Sequence, residues 1–304
     1  MPLARLLQIR LLSLTIIFAV CFTCVLAQDD DTILSVDSSI VVLNAAITDT
    51  SGKFPSGLTQ KQFTVFEDGI EQPITFFQAE STPFAAVILL DTSGSMESRV
   101  SMARGSAIKF IEGLRGGDSV AIYRFDSKVE MVQDFSGGRY LNDAFFDLKA
   151  DGMTVLNDAI YKASELLSVR PEKRRAIIVL SDGEDTMSKR SSDKALKAAI
   201  AANATIYTID MAPVENNGKL RLQSIGALKN FAEKSGGTFV STSGGPAMRD
   251  AFRRIVEELG SQYTIAYEPK AHKKDGKFHS IEIRVTRPNL TIRTRKGYNS
   301  PKSK

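Results

Sequence analysis

Ala85-Ala86-Val87-Ile88-Leu89-Leu90-Asp91-Thr92-Ser93-Gly94-Ser95-Met96 is the stretch around which the chain is organised. Six apolar residues run without interruption into a carboxylate, and two serines follow at alternate positions. A short unbroken apolar run of this kind predicts a parallel strand buried on both faces. Asp91, Ser93 and Ser95 then fall on the turn at its carboxyl end, where open α/β sheets bind ligands. One carboxylate and two hydroxyls are hard oxygen donors of low total charge. They suit Mg²⁺, which keeps several waters and takes few protein ligands. Asp and Ser are also ordinary turn and capping residues, so D-x-S-x-S alone does not separate a metal site from capping.

Two later stretches tip the balance. Gly152-Met153-Thr154-Val155-Leu156-Asn157-Asp158-Ala159 places a hydroxyl at the start of an amphipathic helix. Ala176-Ile177-Ile178-Val179-Leu180-Ser181-Asp182-Gly183 is a second apolar run ending in Asp-Gly. In order, the chain reads D-x-S-x-S, then Thr, then Asp, each at a strand end or a helix start. This resembles the von Willebrand factor type A (VWA) domain and its metal-ion-dependent adhesion site.

The resemblance implies a ligand set. Ser93 and Ser95 correspond to direct ligands, Thr154 to a direct or state-dependent one, and Asp91 and Asp182 to ligands acting directly or through water. Mg²⁺ is the expected ion, with Mn²⁺ or Ca²⁺ as alternatives. Two carboxylates leave such an ion under-neutralised, with an open position that the carboxylate of a protein partner fills. In the family such a ligand can shift the last helix, here Met248–Leu259. The usual Gly-Gly before the threonine is here Gly152-Met153, which is expected to crowd the rim without removing an oxygen. Glu184 and Asp185 are read as solvated loop acids.

The surrounding pattern gives the architecture. Residues 28–83 read as short strands and turns: Ser39–Ile47, then Phe63–Phe66, a hairpin turn at Glu67-Asp68-Gly69, and a returning strand Gln72–Phe77. Over residues 84–259 strands and helices alternate, which predicts a VWA domain with a doubly wound, mostly parallel sheet of six strands. Helices are expected after Ser95, from about Thr154 to Val169, over Lys194–Ala202, over Leu222–Lys234 before a Gly236-Gly237 stop, and over Met248–Leu259. Residues 260–300 return to strands, at Tyr263–Tyr267, Ser280–Val285 and Leu290–Thr294. Neither β flank buries a face alone, so the expectation is one small β-sandwich built from both, with the α/β domain inserted. Arg293, Arg295 and Lys296 read as an exposed strand face. Gly57-Leu58-Thr59, Phe63–Gly69 and the ending Arg295-Lys296-Gly297-Tyr298 further resemble the VWFA-related family described from Acidobacteria, over residues 33–298 or so.

The 304 residues carry 43% hydrophobic and 24% charged side chains, as an ordinary globular protein does. The first 27 residues read as a signal peptide: Arg5 and Arg10, an apolar core over 11–26, and Val25-Leu26-Ala27 before Gln28. An uncleaved membrane anchor over residues 11–27 is the alternative. Removing Arg5 and Arg10 from the formal charge of +4 leaves +2, no footprint for nucleic acid. Both cysteines, Cys21 and Cys24, lie in this leader and fit a lipidation signal poorly. The mature chain therefore has no disulfide or thiolate site. An exported protein, periplasmic or extracellular, is expected.

Catalysis is not expected. Ser93 and Ser95 lack a base, and both histidines, His272 and His279, read as surface residues beside a Lys-rich turn. No phosphate-binding glycine loop occurs. The expected role is a secreted, non-catalytic binding module engaged in protein binding or cell adhesion. The alternative is an envelope scaffold whose metal site only stabilises a loop.

Overall fold

The computed structural model describes residues 40–79, 82–137, 141–212, 218–242, 245–270 and 275–301. The expected leader and His272 lie outside them. The leading flank supplies β1 (Val41–Asp49), β2 (Phe63–Glu67), β3 (Ile70–Gln72) and β4 (Ile74–Gln78). Asp68 and Gly69 join β2 to β3 as a two-residue turn with φ of +49° and +78°, the backbone that favours Asp-Gly in tight hairpins. The single returning strand expected over Gln72–Phe77 is two strands. Pro73 has no N–H to give a ladder, so β3 stays beside β2 while β4 crosses to another sheet.

The alternating region builds β5 (Phe84–Asp91), α1 (Val100–Glu112), β6 (Ser119–Phe125), β7 (Val129–Ser136), the short α2 (Asp143–Phe146) and α3 (Leu156–Ser168). It continues with β8 (Arg174–Ser181), α4 (Ser192–Ala201), β9 (Ala204–Asp210), α5 (Lys219–Ser235), β10 (Phe239–Ser241) and α6 (Gly245–Ser261). The sheet runs β10-β9-β8-β5-β6-β7, parallel except for β7. Every residue of β5 is buried, because alternate side chains serve two cores. Ala86, Ile88 and Leu90 pack with Phe110 of α1 and Phe252 of α6. Ala85, Val87 and Leu89 pack with Ile160 of α3 and Phe231 of α5.

The chain winds outward from β5 toward β6 on one side and from β8 toward β9 on the other. The switch point therefore lies between β5 and β8, and their carboxyl ends carry Asp91 and Ser181-Asp182. The expected stop after α5 is present: Gly236 caps it at φ +87°. A Cβ on Gly237 would lie 2.0 Å from the Ile206 carbonyl oxygen, so only glycine fits there.

The trailing flank adds β11 (Tyr263–Tyr267), β12 (Phe278–Val285), β13 (Leu290–Arg293) and β14 (Gly297–Asn299). Two four-stranded antiparallel sheets result, β13-β1-β11-β4 and β14-β12-β2-β3, each taking two strands from either flank. Leu43 and Ile47 of β1, Val65 of β2, Ile265 of β11 and Ile281 of β12 share one core between them. This is the small sandwich expected from the sequence.

Three side chains depart from expectation. His279 is 3% exposed. It sits on β12, whose residues alternate outward and inward, so the rule that puts Ile281 and Ile283 inside puts His279 inside too. Arg293 is no exposed charge but ion-pairs with Glu258 of α6, which also accepts from Tyr207 at 2.7 Å. Arg295 donates to the Ile200 carbonyl at 3.0 Å and to Asn203 Oδ1 at 3.1 Å. Burial pulls its pKa down to about 10. These arginines tie the sandwich to the α/β layer and form no solvent-facing patch.

Candidate metal centre

Three loops meet at the carboxyl edge of the α/β sheet. The first leaves β5. Asp91 Oδ1 accepts from the Ser93 amide at 2.9 Å and from Ser93 Oγ at 2.5 Å, and Ser93 Oγ lies 3.2 Å from Ser95 Oγ. A 3₁₀ turn over Gly94–Met96 then carries the chain toward α1. The second loop precedes α3. Gly152 has φ +78°, and a Cβ there would meet Ser127 Oγ at 2.6 Å. Its carbonyl accepts from the Gly94 amide at 3.1 Å, which holds the loop against the first.

The third loop leaves β8. Ser181 Oγ donates to Asp91 Oδ2 and accepts from the Gly183 amide at 2.9 Å. Thr186 and Met187 donate backbone N–H groups to the Thr154 carbonyl at 3.0 and 2.9 Å, and Thr186 Oγ1 accepts from the Thr154 amide at 3.0 Å. The structure thus joins Asp91, Ser93 and Ser95 directly and holds Thr154 and Asp182 on loops bonded to both sides of them. Asp91, Ser93, Thr154 and Asp182 are buried, while Ser95 is exposed at the mouth. Met153, expected to crowd the rim, is half exposed, its amide bonded to Ser127 Oγ.

The electrostatics follow from burial. Burial pushes the Asp91 carboxyl up to about 7; hydrogen bonds from Ser181 and Ser93 oppose this, and the nearby Asp182 charge adds to it. Among the described residues, neither Asp91 nor Asp182 is ion-paired with a Lys or Arg. The donors are all oxygens, hard and of low charge, so they fit a small divalent ion.

The folded pKa lies above the ordinary carboxyl value. The stability Asp91 contributes to the metal-free chain is therefore full below pH ~4 and lost as pH rises through about 7. The expected outcome is that the metal-free melting temperature falls between pH 5 and pH 8, and that Mg²⁺ raises it more at pH 8 than at pH 5. Differential scanning fluorimetry at the two pH values checks this.

Sequence reading missed three contributors. Ser181, one position before Asp182, holds Asp91. Asp185 is more than a solvated acid: it accepts from the Asn157 and Ser188 amides, both at 3.1 Å, and so caps the start of α3. Arg221 of α5 donates to the Asp182 carbonyl at 2.8 Å and ion-pairs with Asp210 at the end of β9. Only Ser181 had a readable signal, its place in Leu-Ser-Asp-Gly.

Residues 86–184 match the family model described as von Willebrand factor type A domain, a span that includes all five candidate ligands. The chain therefore carries a VWA domain in its α/β layer. No curated protein matches the sequence. Among solved structures, the PilB minor pilin from Streptococcus sanguinis is 16% identical with a TM-score of 0.48, over 62% of this chain and 63% of that one. A von Willebrand factor type A protein from Catenulispora acidiphila is 14% identical with a TM-score of 0.48, over 87% and 75%. The vWF domain of the type V pili tip protein Mfa5 from Porphyromonas gingivalis is 15% identical with a TM-score of 0.48, over 59% and 95%. Among the described residues no helix is long and apolar enough to cross a membrane.

Proposed function

We propose that this is an exported, non-catalytic binding protein. Its VWA domain holds one divalent ion, Mg²⁺ by preference, through Asp91, Ser93, Ser95, Thr154 and Asp182, and engages an acidic group of a protein partner there. The observation that carries the reading is the pair of buried carboxylates, Asp91 and Asp182, set among hydroxyls at the switch point with, among the described residues, no Lys or Arg ion-paired to either carboxylate. Bound there, the ion would supply a positive, open position that a partner's carboxylate completes.

The mouth of the site supports a macromolecular partner. Met153 and Met187 lie exposed beside Thr154, and Leu220 and Leu222 lie exposed beside Arg221, which holds the Asp182 carbonyl. Exposed apolar side chains around a polar centre are a feature of protein-binding surfaces. The Ser93 hydroxyl donates to Asp91 and lies beside that of Ser95, so both hydroxyl oxygens stand next to the carboxylate as ligands of one ion would. Export rests on the leader-like residues 1–27, and the narrower likeness to the Acidobacteria family belongs to the same reading.

Pull-down from envelope extracts, with and without EDTA and with Ser93→Ala as a second control, tests it. An ion–carboxylate contact at a desolvated interface is worth about 2–5 kcal/mol. Chelator is therefore expected to weaken capture by tens-fold or more. A partner that stays bound in EDTA and to Ser93→Ala contradicts the adhesion reading and favours a scaffold that binds through its sandwich.

A further inference from the structure

Among the described residues, a second cluster of ligand-type side chains converges on the sandwich, away from the VWA loops. It comprises Glu67 at the end of β2, Asp68 in the turn that follows, and His279 of β12. Asp68 Oδ2 is 2.7 Å and Glu67 Oε1 is 3.9 Å from His279 Nδ1, and one donor atom of each residue lies within 4.8 Å of those of the other two. Glu67 and His279 are buried, while the Asp68 side chain is 36% exposed and opens the cluster to solvent.

What separates this cluster from a chance meeting of charges is how each donor is held. The other oxygen of Glu67 accepts from the Tyr267 hydroxyl at 2.6 Å and the Tyr298 hydroxyl at 3.2 Å. The other oxygen of Asp68 accepts from the Ser280 amide at 2.9 Å and Ser280 Oγ at 3.3 Å. The other ring nitrogen of His279 faces Asp275 Oδ1 at 3.4 Å, and that oxygen is fixed by the Lys277 amide at 2.9 Å and Ser300 Oγ at 2.7 Å. One atom of each side chain is thus anchored, and the remaining oxygens of Glu67 and Asp68 both lie beside the remaining nitrogen of His279. A histidine whose far nitrogen is oriented by a carboxylate, beside carboxylates that are themselves hydrogen-bonded, is the outer shell that metal sites carry.

We propose that Glu67, Asp68 and His279 form a second divalent-metal site, selective for a late first-row ion such as Zn²⁺. An imidazole nitrogen with two carboxylates suits Zn²⁺ and its neighbours, whereas Mg²⁺ prefers an all-oxygen set. Two carboxylates and a neutral ring balance the ion's charge. Binding replaces the proton on Nδ1, which leaves to solvent. The site links the leading hairpin to a trailing strand, so an ion there would staple the two sequence-distant flanks together.

Burial disfavours a charged His279, but the hydrogen bonds to Asp68 and Asp275 outweigh it, so the metal-free ring holds its proton more tightly than a free imidazole. The test is therefore run at about pH 8, on the intact chain, with millimolar Mg²⁺ filling the VWA loops. Calorimetry is expected to show one Zn²⁺ bound per chain and a raised melting temperature, both retained in Ser93→Ala. His279→Gln should abolish the event. Asp68→Asn, an exposed turn position that leaves the core intact, should weaken it at least tenfold, and Asp275→Asn about 10–100-fold. Co²⁺ should give visible bands of low-coordinate metal that Asp68→Asn removes. If the folded chain takes up no Zn²⁺, or if uptake is unchanged in Asp68→Asn and Asp275→Asn, the cluster is an ion-paired lock closed by a proton and the proposal is overturned. Because Ser93→Ala is carried through the same titrations, neither result depends on the VWA site.

Discussion

Replacing Asp91 by asparagine is expected to abolish Mg²⁺ binding at millimolar ion while leaving the chain folded. Asp91 is fully buried and holds three hydrogen bonds, two from Ser93 and one from Ser181. Asparagine keeps the size and one acceptor, and the Ser181 hydroxyl has a lone pair to take the new N–H. The structural cost is therefore about 1 kcal/mol. The lost charge is the one the ion needs most, and an affinity loss of at least a hundredfold, about 2.7 kcal/mol, follows. At pH 8 the metal-free variant should melt at or above the metal-free parent, because a buried anion has gone. Alanine is the poorer substitution. Asp91 stands at the outer end of β5, a place where truncation ordinarily costs little. The structure shows that alanine would strand the Ser93 amide and the hydroxyls of Ser93 and Ser181, at about 1–3 kcal/mol for each buried group left unpaired. Calorimetry and thermal melts of both variants separate the two effects.

The largest stability effect is expected at Arg174, the first residue of β8. Its guanidinium is fully buried and donates to Thr264 Oγ1 at 3.1 Å, to the Leu259 carbonyl at 3.4 Å and to the Gln262 carbonyl. Those acceptors lie at the end of α6, just beyond it and in β11, so one side chain fastens the last helix and the sandwich to the central sheet. Thr264 extends the connection to Asn44 of β1 at 3.0 Å. Arg174→Met roughly keeps the volume and takes the guanidinium donor away from two carbonyls and the Thr264 hydroxyl. The expected loss is about 3–5 kcal/mol, a melting temperature lower by roughly 10 °C. Equilibrium denaturation measures it; a loss under about 1 kcal/mol would show that helix and sandwich are held by other contacts.

The difference between Asp91 and Arg174 explains how much was legible in advance. The α/β layer announces itself because parallel strands buried on both faces are written as continuous apolar runs, and residues 84–90 of β5 and 176–180 of β8 are such runs. Loop residues following them in a fixed pattern place Asp91, Ser93, Ser95, Thr154 and Asp182 on one edge. Long-range polar pairing leaves no such trace. Nothing local to Arg174, Arg293 or Arg295 says that each reaches a carbonyl or carboxylate dozens of residues away, and a run of cations beside a strand looks solvent-facing until the partner is seen. Pro73 was readable as a break in a ladder, and the split of β3 from β4 follows from it. His279 was also within reach: two residues before Ile281 on an alternating strand, it had to point inward. Its Lys-rich neighbours drew the reading to the surface.

The central claim is that the carboxyl edge of the α/β sheet binds a divalent ion. Isothermal titration of the metal-stripped chain with Mg²⁺, repeated with Mn²⁺, tests it most directly. The expected result is one ion per chain, lost in Ser93→Ala and Asp91→Asn. No binding of either ion at millimolar concentration, by a chain whose circular dichroism shows it folded, would contradict a metal centre at Asp91, Ser93, Ser95, Thr154 and Asp182.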